Sequence, residues 1–337
     1  MDKIEIPTRQ EAAEIVASAS HQLEWLLGWR RTVPTGDEID WVGVFERAQS
    51  SLNLSGSGQR GGTIVLRDWY PLDRTLVLDS HVELVGDFRA KHHLGSSAGF
   101  RAEQGFTGDY VLEWKKPQSD TLYSNFGAGC RMLHVQTWPG KGGVSFRGAQ
   151  QSAGIENLVV RGFGEYGTGL VLGGDTYSVR DVFLDATIGG EASAARVWST
   201  GLATKERVQG LLVENLTTHN CATGLELSNA VEVKVQSFET ELTTIPIRLT
   251  YNAMGLTFAN CQIRHTGNIM HIERARWPSD FLVKVGGMMV GDERSGSVQL
   301  PGGGAAWKTP GKVFELAIQG DSGGISVIDV KAMRETT

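Results

Sequence analysis

Ile155-Glu-Asn-Leu-Val-Val-Arg161 is a short, mostly apolar run with an asparagine in third place, and its outline recurs along the chain. Val179-Arg-Asp-Val-Phe-Leu-Asp185, Val213-Glu-Asn-Leu-Thr-Thr-His219, Val233-Lys-Val-Gln-Ser-Phe-Glu239 and Phe258-Ala-Asn-Cys-Gln-Ile-Arg264 align with it. Their first residues lie 24, 34, 20 and 25 positions apart. Most of these gaps match the period of about 20–29 residues found in solenoids of stacked strands. The long gap holds an insertion around Gly189 to Lys205. Positions 1, 4 and 6 of the segments are mostly apolar and face a core. Position 3 reads Asn157, Asp181, Asn215, Val235 and Asn260. An Asn or Asp stacked at a bend bonds the backbone and its neighbours in the coils above and below.

Outward from this stretch the strand signals continue. Gly169-Leu-Val-Leu172, Gly224-Leu-Glu-Leu227, Ile247-Arg-Leu249 and Met270-His-Ile272 add a second short strand to each repeat. Upstream, Thr63-Ile64-Val65-Leu66, Thr75-Leu76-Val77-Leu78 and Val82-Glu83-Leu84-Val85-Gly86 read as early coils, and residues 87–150 as coils with long loops. Downstream, Phe281-Leu-Val-Lys-Val285, Val313-Phe-Glu-Leu-Ala-Ile318 and Ile325-Ser-Val-Ile328 are expected to finish the stack. Before the strands, residues 9–31 and Asp40 to about Leu52 show helical spacing. Such helices cap the open edge of a solenoid, or dock the chain onto a larger assembly. The pattern predicts an all-β chain, a right-handed single-stranded parallel β-helix with N-terminal capping helices. Residues 1–58 form the helical cap or docking segment and 59–337 the β-helix. A leucine-rich or ankyrin array would show LxxLxL or paired-helix signatures, and these are absent. A β-sandwich would not stack like residues at one bend.

Composition agrees. The 43 glycines against nine prolines suit many tight turns, and no Gly-X-Y period appears. A net charge of −6 argues against non-specific nucleic-acid binding, which needs a basic surface. No run of about 18 apolar residues suggests membrane insertion. The first residues lack the apolar core of a secretion signal, so synthesis in a cytoplasm is expected. Cys130, Cys221 and Cys261 form no CxxC pair and read as buried, reduced thiols. His92-His93 is a weak metal signal, and no metal or other cofactor is expected. Gly320-Asp-Ser-Gly-Gly324 matches a serine-protease string, but it lacks the histidine and buried aspartate that chemistry needs. A glycine-rich turn between strands explains it better.

The whole chain resembles the pectate-lyase-like β-helix superfamily. The resemblance rests on the helix leading into Gly61-Gly-Thr-Ile-Val-Leu66, on Leu76-Val-Leu-Asp-Ser-His-Val-Glu-Leu-Val-Gly-Asp87, on the Asn ladder, and on the repeat of Thr168-Gly-Leu-Val-Leu172 in Thr223-Gly-Leu-Glu-Leu227. That superfamily includes polysaccharide lyases, glycoside hydrolases and bacteriophage tailspikes. A β-helix made in the cytoplasm is most similar to a tailspike or tail-fibre protein. The resemblance implies a virion component that contacts host surface polysaccharide, assembles with other tail proteins and forms a homotrimer. Little sequence follows the last strand, a departure from tailspikes that end in a large trimerisation domain. A stand-alone bacterial polysaccharide hydrolase or lyase, and a purely structural virion component, are the alternatives.

Candidate chemistry sits at position 7, which alternation turns outward: Arg161, Asp185, His219, Glu239 and Arg264. Asp185 and Glu239 are candidate acid and base of an inverting glycosidase, whose carboxyls lie about 6.5–9.5 Å apart. His219 is a third proton carrier between them. Arg161 and Arg264 flank them and suit an acidic sugar. A second outward ladder reads Glu226, Arg248 and His271. Alternating charges on outward positions also serve simply to relieve like-charge stacking. Among the nine tryptophans, Trp114, Trp138, Trp198 and Trp277 fall in or near loops, where a flat ring suits the apolar face of a sugar. Lyases use Arg or Lys as base, so Arg161, Arg248 and Arg264 leave lyase and hydrolase both open.

Overall fold

The structure, a computed structural model, describes residues 3–12, 39–53, 61–86, 98–114, 127–149, 153–187, 200–250, 255–264, 268–273, 282–290, 297–299, 307–308, 313–321 and 324–332. Strands alternate along the chain between two parallel stacks, as a coiling chain requires. In the first stack Gly62–Leu66, Val82–Gly86, Gly129–Gln136, Gly154–Arg161, Ser178–Asp185, Leu212–His219 and Lys234–Glu241 each pair in parallel with the next. Leu256–Ala259, Gln262–Arg264 and Leu282–Val290 extend it. In the second stack Trp69–Leu78, Gly99–Trp114, Gly142–Ala149, Thr168–Asp175, Thr200–Gln209, Thr223–Leu227 and Ile245–Leu249 do the same. As far as Ile245–Leu249, the strands named here alternate between the two stacks along the chain, and each pairs one coil on. This is a right-handed parallel β-helix, the hand that parallel crossovers take.

Each long strand of the first stack bends once. Asn157, Asp181, Asn215 and Asn260 stand at that bend with φ of 53°, 53°, 54° and 53°. That left-handed region costs most residues energy, and Asn and Asp tolerate it best. The side chains also link coils: Asn215 Nδ2 donates to Asp181 Oδ1 at 2.9 Å. The fourth repeat departs from the sequence alignment by two residues. Val213 pairs with Val235, so Ser237 (φ 57°) occupies the bend, and Val235 is a buried core residue.

The interior follows from alternation. Cys130, Ile155, Val179, Val213, Val235 and Phe258 stack as one buried file, and Leu133, Leu158, Val182, Leu216 and Phe238 as another. Two buried threonines interrupt a third file, and their hydroxyls are satisfied within it. Thr218 Oγ1 donates to Thr240 Oγ1 at 2.9 Å, which donates to Thr243 Oγ1 at 2.8 Å. Burial pushes the Cys261 thiol up to about 12 and raises Cys130 and Cys221 as well, so all three stay protonated and inert.

At the N-terminal end, helix α1 (Trp41–Asn53) begins at Asp40, whose carboxylate accepts the Gly43 N–H at 2.9 Å. Its buried Trp41 and Phe45 meet Tyr70 and Phe100 edge-on at 4.8–5.3 Å. This helix caps the stack as expected. Of the first expected helix, residues 9–12 are helical and 13–31 lie outside the described residues. Lys3–Glu5 adds a parallel strand beside Gly62–Leu66.

The C-terminal end differs from the expectation of further parallel coils. Val313–Asp321 runs antiparallel to Leu282–Val290, and Gly324–Ala332 folds back on it, also antiparallel. Asp321 pairs with Gly324, so the chain reverses within the Gly320–Gly324 run, a short connection open only to antiparallel strands. No helix among the described residues is long and apolar enough to cross a membrane.

Candidate functional site

Beyond the bend, the first-stack strands build one continuous face that begins with the N-terminal halves of Trp69–Leu78 and Gly99–Trp114. The register runs Trp69, Gly99, His134, Val159, Phe183, Thr217, Glu239 and Gln262 in one outward file. Two residues on, Pro71, Arg101, Gln136, Arg161, Asp185, His219, Glu241 and Arg264 form the second. Between them Tyr70, Phe100, Val135, Val160, Leu184, Thr218, Thr240 and Ile263 point inward and are buried. Stacked at about 4.8 Å, the eight coils give a face about 34 Å long.

The register separates residues that the sequence placed together. Asp185 and His219 are paired neighbours in the second file, but the next position is Glu241. Glu239 lies in the first file, paired with Thr217 and Gln262. Two coils and two residues put its backbone about 12 Å from that of Asp185, against about 10 Å for Glu241. The two-residue offset at Val235 causes this change too.

The carboxylates on this face all have partners. Asp185 Oδ1 accepts from Thr187 N at 3.0 Å, Thr187 Oγ1 at 2.6 Å and Asn220 Nδ2 at 3.1 Å. Glu239 lies 3.1 Å from Arg264, and Glu241 3.7 Å from His219 Nε2. His219 also sits edge-on to Phe183 at 4.9 Å.

The N-terminal half of the face is different. Arg161 and Arg101 form no ion pair among the described residues. The Arg161 guanidinium lies over the Phe183 ring at 5.3 Å, and its buried Nε has no hydrogen-bond partner among the described residues. His134, 6% exposed, is driven down to about 4 by burial and then by the Arg161 charge, so it is neutral at pH 7. A groove of about 430 Å³ opens beside it, lined by Arg9, Trp69, Pro71, Arg101, His134 and Gln136. Sequence reasoning missed this groove, because its residues come from four segments, none of them in the aligned repeats.

The second ladder has the expected register: Glu226 pairs with Arg248, and Arg248 with His271. Arg248 lies 3.6 Å from Glu226 and bonds Glu273 through Nε at 2.8 Å. These are the alternating charges of a self-neutralising outer surface. Trp114 is fully buried and donates to the Val82 carbonyl at 2.9 Å, so it is a core residue and not a sugar platform. Trp138 is exposed, just past Gln136 at the edge of the groove-bearing face. Trp198, Trp277 and His92-His93 lie outside the described residues. Among the described residues no cluster of three His, Cys, Asp or Glu side chains is placed to hold a metal ion.

No family model matches the chain, and no curated protein does. Solved structures with a similar course of backbone include ORF18 of Geobacillus virus E2, 11% identical, with a TM-score of 0.40 over 87% of this chain and 73% of that one. DFA-IIIase from Arthrobacter chlorophenolicus A6 is 12% identical, with a TM-score of 0.42 over 75% and 67%. The phiAB6 tailspike, solved with oligosaccharides of Acinetobacter baumannii surface polysaccharide, is 11% identical, with a TM-score of 0.43 over 88% and 56%. Nothing about this chain's activity follows from likeness at that level.

Proposed function

We propose that this chain is a virion-associated protein of the tailspike or tail-fibre kind that binds a host surface polysaccharide along the face described above. The observation that carries the reading is the face itself. Two outward files display aromatic, guanidinium, amide and carboxylate side chains over eight coils. Its length of about 34 Å suits an extended polymer of several sugars better than a small metabolite. Rigid strands hold the contact groups, so little entropy is lost on binding. The virion setting rests on the tailspike resemblance of the sequence.

Binding without cleavage is favoured by the paired carboxylates: Asp185 is held by Thr187 and Asn220 just past the strand ends, and Glu239 by Arg264 in the next coil. One observation supports cleavage as a second reading. Asp185, His219 and Glu241 stand in successive coils of one file, with backbone spacing from which tilted side chains reach the separation of an inverting pair.

Affinity electrophoresis of the full chain through gels containing bacterial capsular and O-chain polysaccharides tests the binding. Retardation by at least one polymer is expected, and free migration through the whole panel refutes it. Reducing-end and unsaturated-product assays on the same polymers decide cleavage. Peptide mass spectrometry of purified phage particles tests the virion setting.

A further inference from the structure

We infer that the groove formed by Trp69, Pro71, Arg101, His134, Gln136 and Arg9 is a subsite for the carboxylate-bearing ring of an acidic sugar. The inference deepens the polysaccharide-binding reading and rests on it for the polymer, though not for the single sugar.

The groove exists because of one glycine. Trp69, Gly99 and His134 follow one another in successive coils of the first file. Gly99 places no side chain between its neighbours, and a Cβ there would lie 2.0 Å from the His134 carbonyl. Trp69 and His134 therefore meet across the empty position, edge to face at 4.6 Å. The result is an aromatic floor continued by Pro71, wide enough for one sugar ring.

The polar groups are cationic, in a protein whose net charge is −6. Arg101 is exposed, stands beside Pro71 and Gln136 in the second file, and has no ion-pair partner among the described residues. Arg9 reaches in from the first helical turn, 3.5 Å from Asp68 through Nε. Arg161 follows Gln136 in the next coil. At the opposite end of the face Arg264 is neutralised by Glu239. An exposed Arg101 guanidinium with no ion pair among the described residues, beside an aromatic face, matches a planar carboxylate on a pyranose ring. Because His134 is neutral, it contributes a ring surface and no charge. Arg101 is the residue on which selectivity for the acid rests, and Trp69 the platform.

The test titrates the full chain with D-glucuronate and, separately, D-glucose, followed by tryptophan fluorescence and by ligand-observed NMR. Glucuronate is expected to bind at least tenfold more tightly than glucose. Arg101→Gln should remove that preference with no change in melting temperature, while Arg180→Gln, before the bend and paired with Glu214, should keep it. Raising salt should weaken glucuronate and leave glucose unchanged. Equal affinities, no glucuronate response, or a preference that survives Arg101→Gln would each overturn the subsite. The gel panel separates the two ideas. Polymer retardation without a glucuronate preference removes the subsite and leaves polymer binding. A glucuronate preference without retardation by any polymer leaves the subsite and removes the polymer reading.

Discussion

His134 gives a prediction that can be worked through from its surroundings. The imidazole titrates at about 4 in the fold, against 6.5 for a free histidine, chiefly because it is buried and secondly because Arg161 is near. Below pH 6.5 the unfolded chain takes up a proton that the native state refuses until pH falls to about 4. The unfolded state then binds more protons, so stability rises with pH across this window. The contribution is fully present above pH 6.5 and is lost as pH falls towards 4. At 1.36 kcal/mol per pKa unit, the interval amounts to about 3 kcal/mol. His134→Gln removes the titration. Urea unfolding of both proteins at half-unit steps from pH 4 to 8 measures the difference in stability. Carboxylates common to both proteins cancel in that difference. The wild-type curve should be parallel to the variant above pH 7 and fall relative to it by about 3 kcal/mol by pH 4. Curves that stay parallel throughout would show that His134 is neither desolvated nor pressed by Arg161, and would dissolve the packed Trp69–His134 wall of the groove.

Other consequences follow from register and packing. Val235→Asn should cost about 3 kcal/mol, because it buries an amide in the core, whereas Ser237→Asn should be neutral or slightly stabilising at a left-handed bend; denaturant midpoints compare them. The opposite order would mean that the fourth repeat keeps the alignment read from sequence. Phe238→Ala, at a fully buried position, should cost about 3–5 kcal/mol by the same assay. Asp185→Ala should cost about 1–3 kcal/mol, since it strands the Thr187 and Asn220 donors. Under the cleavage reading, Glu241→Gln should abolish product formation and Glu239→Gln should spare it, as measured by reducing ends released from a bound polymer.

The fold was legible because a solenoid repeats its constraints. Each coil needs a left-handed residue at the same bend, and Asn or Asp meets that need most cheaply, so Asn157, Asp181, Asn215 and Asn260 mark the coils in the sequence. Ser237 meets the same need with a weaker signature. Once it is missed, Val233 and Val235 are equally good starts for an apolar file, and only pairing with Val213 separates them. Alternation hides an error of two, because a two-residue shift keeps every side chain on its proper face. Glu239 and Glu241 both point outward, so pattern alone does not tell which of them shares a file with Asp185. The C-terminal hairpin escaped for a related reason: a short β-branched run looks the same whether its partner is parallel or antiparallel.

The groove was illegible for a different reason. Its walls, Trp69 and His134, are 65 positions apart and touch only because Gly99 intervenes in the stack without a side chain. In the sequence, Gly99 is one of 43 glycines. Nothing local distinguishes a glycine that opens a cavity from one that permits a bend. The distinguishing fact is its place in a file, and the early coils, with no Asn bend and with long intervening segments, give no period from which to read that place. The same fact yields a stringent consequence. A side chain at position 99 must displace the His134 backbone, whereas a small polar residue at the exposed Arg101 disturbs nothing. Gly99→Ala should therefore lower the melting temperature and weaken glucuronate together, while Arg101→Gln weakens glucuronate alone. If Gly99→Ala left both untouched, the coils at this end would not approach as closely as the groove requires.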